Sequence, residues 1–366
     1  MTEALFATVN FIPKGDSEFG NIVRKRVSEY FTSNGISRTG DYRIWIKIII
    51  LPVIYLAPFV LIMTNWYSST LWAFYGLWAI MGIGLAGCGL GIMHDACHGA
   101  ISKSHAVNNF IGELILGLAA GSTTNWKIQH NLLHHSYTNI DGYDEDIDPG
   151  GVMRFSPHQP VKPFYRFQVI YAWFVYGLMT FFWATFKDYL QLNRYNKKGL
   201  VNKYGSTFKI EFLKLVLQKI LYYGLFIALP IIFLDIAWWH VVLGWFSMHF
   251  IAGVILGCVF QPAHVVPTSE FPLPDGENKI EGDWAKYQML TTANFAPGNR
   301  LLSWYIGGLN YQIEHHLFPN MSHVHHRRIS RIVKQTAEEY GVPYNSQPTF
   351  LGALANHAKT LHKFRK

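Results

Sequence analysis

Long apolar runs alternate with polar, charged stretches along this chain. Residues 48–64 (IIILPVIYLAPFVLIMT) form the first run, the polar segment 65–70 (NWYSST) interrupts it, and residues 72–93 (WAFYGLWAIMGIGLAGCGLGIM) follow. A second pair runs from about 216 to 234, turns at Asp235 and returns from Ile236 to Phe260. About 20 apolar residues cross the hydrocarbon core as a helix, so each pair predicts a transmembrane hairpin. Trp66, Tyr67 and Trp72 flank the first turn and Trp238 and Trp239 mark the second, where an aromatic belt sits at the water boundary. Pro230 predicts a kink, which lipid-buried helices tolerate. Residues 106–121 are too short to span and carry Glu113. Residues 167–186 (FQVIYAWFVYGLMTFFWATF) are long enough. A lone crossing there would put the histidines near 94–135 and those near 312–316 on opposite faces. The chemistry argued below needs them together, so the stretch is read as a helix lying in the interface.

The charges agree with the hairpins. Lys and Arg are absent from residues 48–102 and again from 220–278. Seven basic residues up to Lys47, thirteen from Lys103 to Lys219 and eleven from Lys279 onward account for all 31. Two hairpins put every one of them on the same side, as the positive-inside rule expects; two buried helical hairpins of a soluble protein are the alternative. The expected organisation is an all-α membrane protein with four transmembrane helices and a cytosolic helical cap. The chain then divides into an N-terminal arm (1–47), a first hairpin (48–93), a cap segment (94–215), a second hairpin (216–260) and a further cap segment with the C-terminal tail (261–366). Both termini then lie in the cytosol, and the membrane is the cell membrane of a bacterium or the endoplasmic reticulum of a eukaryote. No cleavable signal peptide is expected, because no apolar run lies near the start. Half the residues are apolar and 15% are charged, which excludes a disordered chain. Cys88, Cys97 and Cys258 suggest no disulfide framework. The net charge of +8 suits anionic lipid or a phosphate-bearing substrate. No nucleic-acid module is visible, and no nucleic acid is expected as a partner.

The chain has seventeen histidines, and clusters of them lie just beyond the hairpin ends. HDACH places His94 and His98 at i and i+4, on one helix face. HNLLHH places His130 and His134 at the same spacing and adds His135. QIEHH places Gln312, His315 and His316 at i, i+3 and i+4, and His264 follows the fourth apolar run in FQPAH. Neutral imidazole binds iron, copper, nickel and zinc. Eight such rings exceed what one ion uses and suit two adjacent ions. Metal-bound His commonly donates its other N–H to a carboxylate or carbonyl, which makes Asp95, Asp148 and Asn310 candidate outer partners, with Asp144 and Glu145 read as a solvated acidic loop. His323, His325 and His326 are read as lining a polar surface beside Arg327 and Arg328. His249, mid-span, is read as a neutral ring bonded to a neighbouring helix. Trp126, Trp304 and Tyr311 are candidates for lining an apolar substrate tunnel, and Lys103, Lys127, Arg154 and Arg166 for binding a phosphate-bearing head.

HDACH, HNLLHH and QIEHH resemble, in order and interval, the three histidine boxes of the membrane fatty-acid desaturases. The Gln of the third box, within WYIGGLNYQIEHHLFP (304–319), is similar to the front-end (Δ5/Δ6/Δ8-type) acyl desaturase branch. The resemblance covers roughly residues 40–345. It implies a mushroom-like molecule holding two non-haem iron ions. The implied ligands are His94, His98, His130, His134, His135, His264, His315 and His316, with Gln312 as a ligand or ligand-adjacent group. It implies a reaction in which O2 and two electrons convert a CH2–CH2 unit of a long acyl chain, carried on coenzyme A or a lipid, into a cis double bond. Many front-end relatives carry a fused cytochrome b5 with an HPGG motif; none is found here. Neither haem nor flavin is expected in this chain, and the electron donor is a separate ferredoxin or a free cytochrome b5 with its reductase.

An unactivated methylene has no acidity for acid–base chemistry to exploit, so the metal supplies the oxidising power and the protein orients the chain. A hydroxylase or ketolase of the same superfamily is the near alternative, separated by product analysis. A metal transporter would place its ligands near the bilayer midplane, and here they sit beyond the span ends. A zinc hydrolase needs three or four ligands and a carboxylate base; eight histidines are too many.

Overall fold

A computed structural model describes residues 8–12, 18–67 and 70–366. Among these residues, five helices are long and apolar enough to cross a membrane. The first helix of the chain, α1 (Glu18–Ser33), is polar and lies outside that set. The apolar helices begin with α2 (Tyr42–Met63) and a second helix, α3 (Leu71–Cys97), and the short α4 (His105–Gly117) follows. The remaining three are α5 (Pro163–Lys197), α6 (Phe208–Phe233) and α7 (Trp238–His264). After them come α8 (Trp284–Thr291), α9 (Gln312–Leu317), α10 (His326–Glu339) and α11 (Phe350–Lys363). Two small parallel strand pairs, Asn10–Ile12 with Lys279–Glu281 and Asn294–Phe295 with Ser346–Gln347, tie distant segments together.

The apolar helices present Ile49, Val53, Val60, Leu217, Ile220, Leu221, Ile232 and Phe233 outward. A contiguous apolar exterior of this kind is stable only in lipid, and the chain is a membrane protein. In lipid no hydrophobic force drives helices together, so close approach depends on small residues. Gly84 faces the backbone of Tyr55, where an added Cβ would come within 2.5 Å of its nitrogen, and Gly82 does the same against the Met248 carbonyl at 2.6 Å. These contacts lock α2, α3 and α7. The mid-span His249 accepts from the Tyr222 hydroxyl at 2.6 Å, as a neutral ring bonded to the adjacent helix. Lys219, buried in α6, reaches the carbonyls of Ala120 (2.8 Å) and Ala184 (2.7 Å) and the Asp188 carboxylate (3.5 Å), so this buried charge is compensated. Just before Pro230, α6 carries a wide i→i+5 turn over Gly224–Ala228.

The 167–186 stretch lies within α5, which packs antiparallel against α7: a Cβ on Gly177 would strike the Phe250 ring, and one on Gly253 the Tyr176 carbonyl. Both ends of α5 bond to the polar half of the molecule. Gln168 donates to the Leu361 carbonyl at 2.7 Å; Arg194 and Tyr195 each bond Glu145 at 2.6 Å. A second core, apart from the apolar helices, joins α1 (Phe19, Val23, Val27, Phe31) to α8 (Met289), α9 (Ile313, Leu317) and α10 (Ile329, Val333). The polar N-terminal arm is therefore a packed helix over residues 18–33, and this layer holds the third histidine box in place.

Candidate metal centre

Each box sits on a short or widened helical segment. Before HDACH, α3 widens into an i→i+5 turn at Gly89–Met93, and His94 and His98 then lie one turn apart with ring centroids 4.7 Å from each other. HNLLHH occupies a second such turn, Ile128–His134. Wide turns of this type recur at functional sites, and here the widening keeps His134 and His135 within 5.1 and 4.7 Å of His130. QIEHH forms the short α9, and His264 ends α7.

The four segments converge into one buried nest. Ligand atoms of His94, His98, His130 and His315 all lie within 4.8 Å of one another, and those of His134, His264 and His316 form a second such set. His135 sits between the sets, its ring 4.8 Å from His98, 4.6 Å from His315 and 4.4 Å from His316. Burial and the neighbouring imidazoles hold His98, His135, His315 and His316 well below the usual histidine pKa, so these rings are neutral with a lone pair to offer.

The second set is oriented from outside. His134 Nδ1 donates to Asp144 at 3.0 Å, His316 Nδ1 to the Gln288 side-chain oxygen at 2.9 Å, and His264 Nδ1 to the Thr291 carbonyl at 3.3 Å. Burial opposes charge on His134, but Asp144 and Asp146 outweigh it and raise the ring to about 9. In the first set, His130 Nδ1 meets Asp146 at 3.2 Å, and Trp126 walls the nest with its ring 4.6 Å from His130 and 5.7 Å from His94.

The buried ring nitrogens test whether a metal fits. His94 Nδ1, His98 Nε2, His135 Nδ1, His264 Nε2, His315 Nε2 and His316 Nε2 are buried without a hydrogen-bond partner. His94 and His130 face each other through Nε2 atoms at 3.1 Å, and His135 approaches His130 at 3.2 Å. Each unpaired buried polar atom costs about 1–3 kcal/mol, so six together cost on the order of 10 kcal/mol, comparable with the whole stability of a domain. Bound cations remove that cost, and the donor set is what imidazole-binding metals take. Gln312 is buried on the same helix as His315 and His316, with its Nε2 also unpartnered.

Several sequence readings change. Asp148 is exposed and caps the Gly150 amide at 3.0 Å; the short turn Glu145–Ile147 instead directs Asp144 and Asp146 inward, so Asp144, read as solvated, is buried against His134. Asp95 accepts from His323 Nδ1 at 2.8 Å and Ser322 Oγ at 2.9 Å rather than from a box histidine. Lys47 meets the other nitrogen of His323 at 2.6 Å. His323, His325 and His326 are therefore not a surface group but buried beneath box one. Asn310 is buried, donating to the Ala296 carbonyl at 3.3 Å. Tyr311 donates to the Pro297 carbonyl at 2.6 Å, and Trp304 is half-buried with Lys47 Nζ 5.6 Å over its ring. Arg154 is buried and donates to the backbone carbonyls of Gln159, Phe364 and Pro157, which removes it as a phosphate binder. Gln288 and Thr291 carried no signal in the sequence. Asp144 and Asp146 did, as alternate acids shortly after box two.

A nest of this kind at the ends of apolar helices defines a membrane-embedded metalloprotein. Residues 70–348 match the fatty acid desaturase family. The chain is similar to the sn-1 linoleoyl-lipid 6-desaturase of Synechocystis sp., 33% identical over 95% of this chain and 96% of that protein. It is also similar to the enzyme of the same name from Arthrospira platensis (31%, covering 94% and 92%). The acyl-lipid (8-3)-desaturase of Physcomitrium patens is 35% identical over 98% of this chain and 74% of that protein. The chain belongs to the fatty acid desaturase family and is an oxidoreductase of the front-end desaturase type.

Proposed function

We propose that this chain introduces a cis double bond, with front-end regiochemistry, into a long acyl chain carried on a membrane lipid, using two non-haem iron ions and two external electrons. The observation that carries this reading is the pair of abutting histidine sets with six unpartnered buried nitrogens. His94, His98, His130 and His315 hold one ion, and His134, His264 and His316 the other. His135 lies between, and Gln312 is a ligand or ligand-adjacent group. The names of the three relatives described above, all lipid-linked acyl desaturases, support an acyl-lipid substrate over a coenzyme A thioester.

When bound, the iron pair activates dioxygen for attack on methylene C–H bonds that no side chain can break. The chain's own residues fix the geometry. Asp144, Gln288 and the Thr291 carbonyl hold the outer nitrogens of the second set, and Asp146 that of His130, so each Nε2 points inward. Burial of the whole nest excludes water, and Trp126 closes one wall.

The architecture proposed is four spans, α2, α3, α6 and α7, with α5 packed along α7 and both of its ends on the side of the nest. The bonds from both ends of α5 to the polar half support this, because a crossing helix would leave its ends on opposite faces. Residues 1–47, 94–215 and 261–366, with both termini, then lie in the cytosol, and the spans occupy 48–93 and 216–260. A ferredoxin or free cytochrome b5 supplies the electrons.

Expression in a host of known lipid composition, with the new double bond located by mass spectrometry and metal counted by elemental analysis, tests the reading. A front-end cis double bond with iron at about two ions per chain is expected for a dinuclear carboxylate- or histidine-type oxygen site. A hydroxylated product, or full activity without iron, overturns it.

A further inference from the structure

We propose that the arginine-rimmed notch between α1 and α9 is the docking surface for an acidic, one-electron carrier protein. The inference rests on the desaturase reading, because it answers a need that reading creates. Dioxygen takes four electrons and four protons to become two waters. The acyl chain gives two of each as CH2–CH2 becomes CH=CH; a carrier supplies the other two electrons singly, and solvent the other two protons. The three cysteines are free and offer no internal dithiol reductant.

The notch has a volume of about 260 Å³ and is lined by Arg24, Val27, Arg38, Leu317, Phe318 and Met321. Its floor is the segment that leaves box three: Leu317 is bonded directly to His316, whose ring lies 4.8 Å from His264 and 4.9 Å from His134. An electron delivered there is one peptide unit from the nest.

The rim is positive. Arg24 and Arg38, which line it, are exposed, as are Arg327, Arg328 and Arg331 on α10, and among the described residues no carboxylate lies within ion-pair distance of any of them. Arg26, also on α1, shows the contrast, paired with Glu339 at 2.6 Å. Rings hold several of these charges in position. Arg24 lies over Trp284 at 5.9 Å, Arg38 over Phe31 at 5.6 Å, and Arg328 donates to the Tyr30 hydroxyl across the α1–α10 contact at 3.4 Å. Fixed like charges around an apolar floor suit an acidic protein patch, where complementary potentials steer encounter and set orientation. The face is built on the second core, to which none of the five apolar helices contributes. That favours a soluble protein over lipid headgroups as the occupant.

The test uses the iron-loaded full chain in neutral phosphatidylcholine nanodiscs. It is titrated with a plant-type [2Fe–2S] ferredoxin and, separately, with soluble cytochrome b5. At least one carrier is expected to bind, with affinity falling about tenfold or more as the Debye length shrinks from about 30 to about 8 Å. The double variant R24E/R38E is expected to lose about tenfold or more in carrier affinity, and the double Arg→Lys variant to stay near wild type. Turnover driven by reduced methyl viologen is expected to be the same in all three proteins, which shows that the charge reversal left the fold and the nest intact. Unchanged carrier binding in R24E/R38E overturns the proposal, as does binding of neither carrier to wild type. So does a loss confined to binding of phosphatidylglycerol vesicles, which would assign the face to the membrane. Wild type that makes no double bond with methyl viologen would instead overturn the desaturase reading, while the binding titrations still judge the surface.

Discussion

The two halves of the histidine nest are built differently. In the set of His134, His264 and His316, each ring has an outer hydrogen-bond partner supplied from another segment: Asp144, the Thr291 carbonyl and Gln288. In the set of His94, His98, His130 and His315, only His130 has a carboxylate partner, Asp146, and the others are positioned by ring-on-ring packing with one another and with Trp126. The first set gains its geometry from crowding, the second from directed hydrogen bonds. Crowding yields when one neighbour is removed, whereas a hydrogen bond fixes a single tautomer and direction. The second set should be the stiffer and tighter metal position, and the first the more exchangeable one.

The severest break is removal of a ring from either set. His98→Ala and His316→Ala should each abolish desaturation, a loss of at least about a thousandfold where the metal does the chemistry, with the protein still in the membrane fraction. His134→Ala should do the same. Product analysis by mass spectrometry checks this, and full activity in any of them removes that residue from the nest.

A smaller effect sharpens the difference between the sets. Asp144→Asn and Gln288→Leu remove outer partners of the second set alone, and each should weaken metal binding there by about 10–100-fold. During dialysis against a chelator, these variants should lose metal from the second set first, whereas wild type should lose it first from the first set. Biphasic loss measured by elemental analysis reads this directly; identical loss curves would erase the asymmetry.

The smallest change is expected at His326. Its ring lies 6.1 Å from His315 and outside both sets, with Nδ1 3.4 Å from the Gly308 carbonyl. His326→Ala should retain activity within about tenfold while losing about 1–3 kcal/mol of stability from a buried site, read as a lower melting temperature. Complete inactivity with iron depletion would enlarge the nest by one ligand.

The apolar helices and the box histidines were legible because each depends on local order in the chain. A run of about 20 apolar residues is readable from composition alone, and an i, i+4 pair lies on one helix face wherever that helix packs. The outer partners were not legible. The sequence offered Asp95, Asp148 and Asn310, but Asp95 turns to His323, Asp148 to the solvent, and Asn310 to a backbone carbonyl. Gln288 reaches His316 across 28 residues of chain and Thr138 across 150, separations that no spacing rule covers.

Taken alone, the order of residues determined that this protein enters a membrane, that its histidines come in boxes, and that their number suits two metal ions. Hydrophobicity and helical periodicity act over one or two turns, and the chain displays both directly. Only the tertiary structure decided which ring nitrogens are held by outer partners, which acids hold them, that His323, His325 and His326 are buried, and that among the described residues no carboxylate pairs with Arg24 or Arg38 beside box three. Those outcomes depend on which segments pack together and on the direction of each hydrogen bond, and neither is encoded at any fixed distance along the chain.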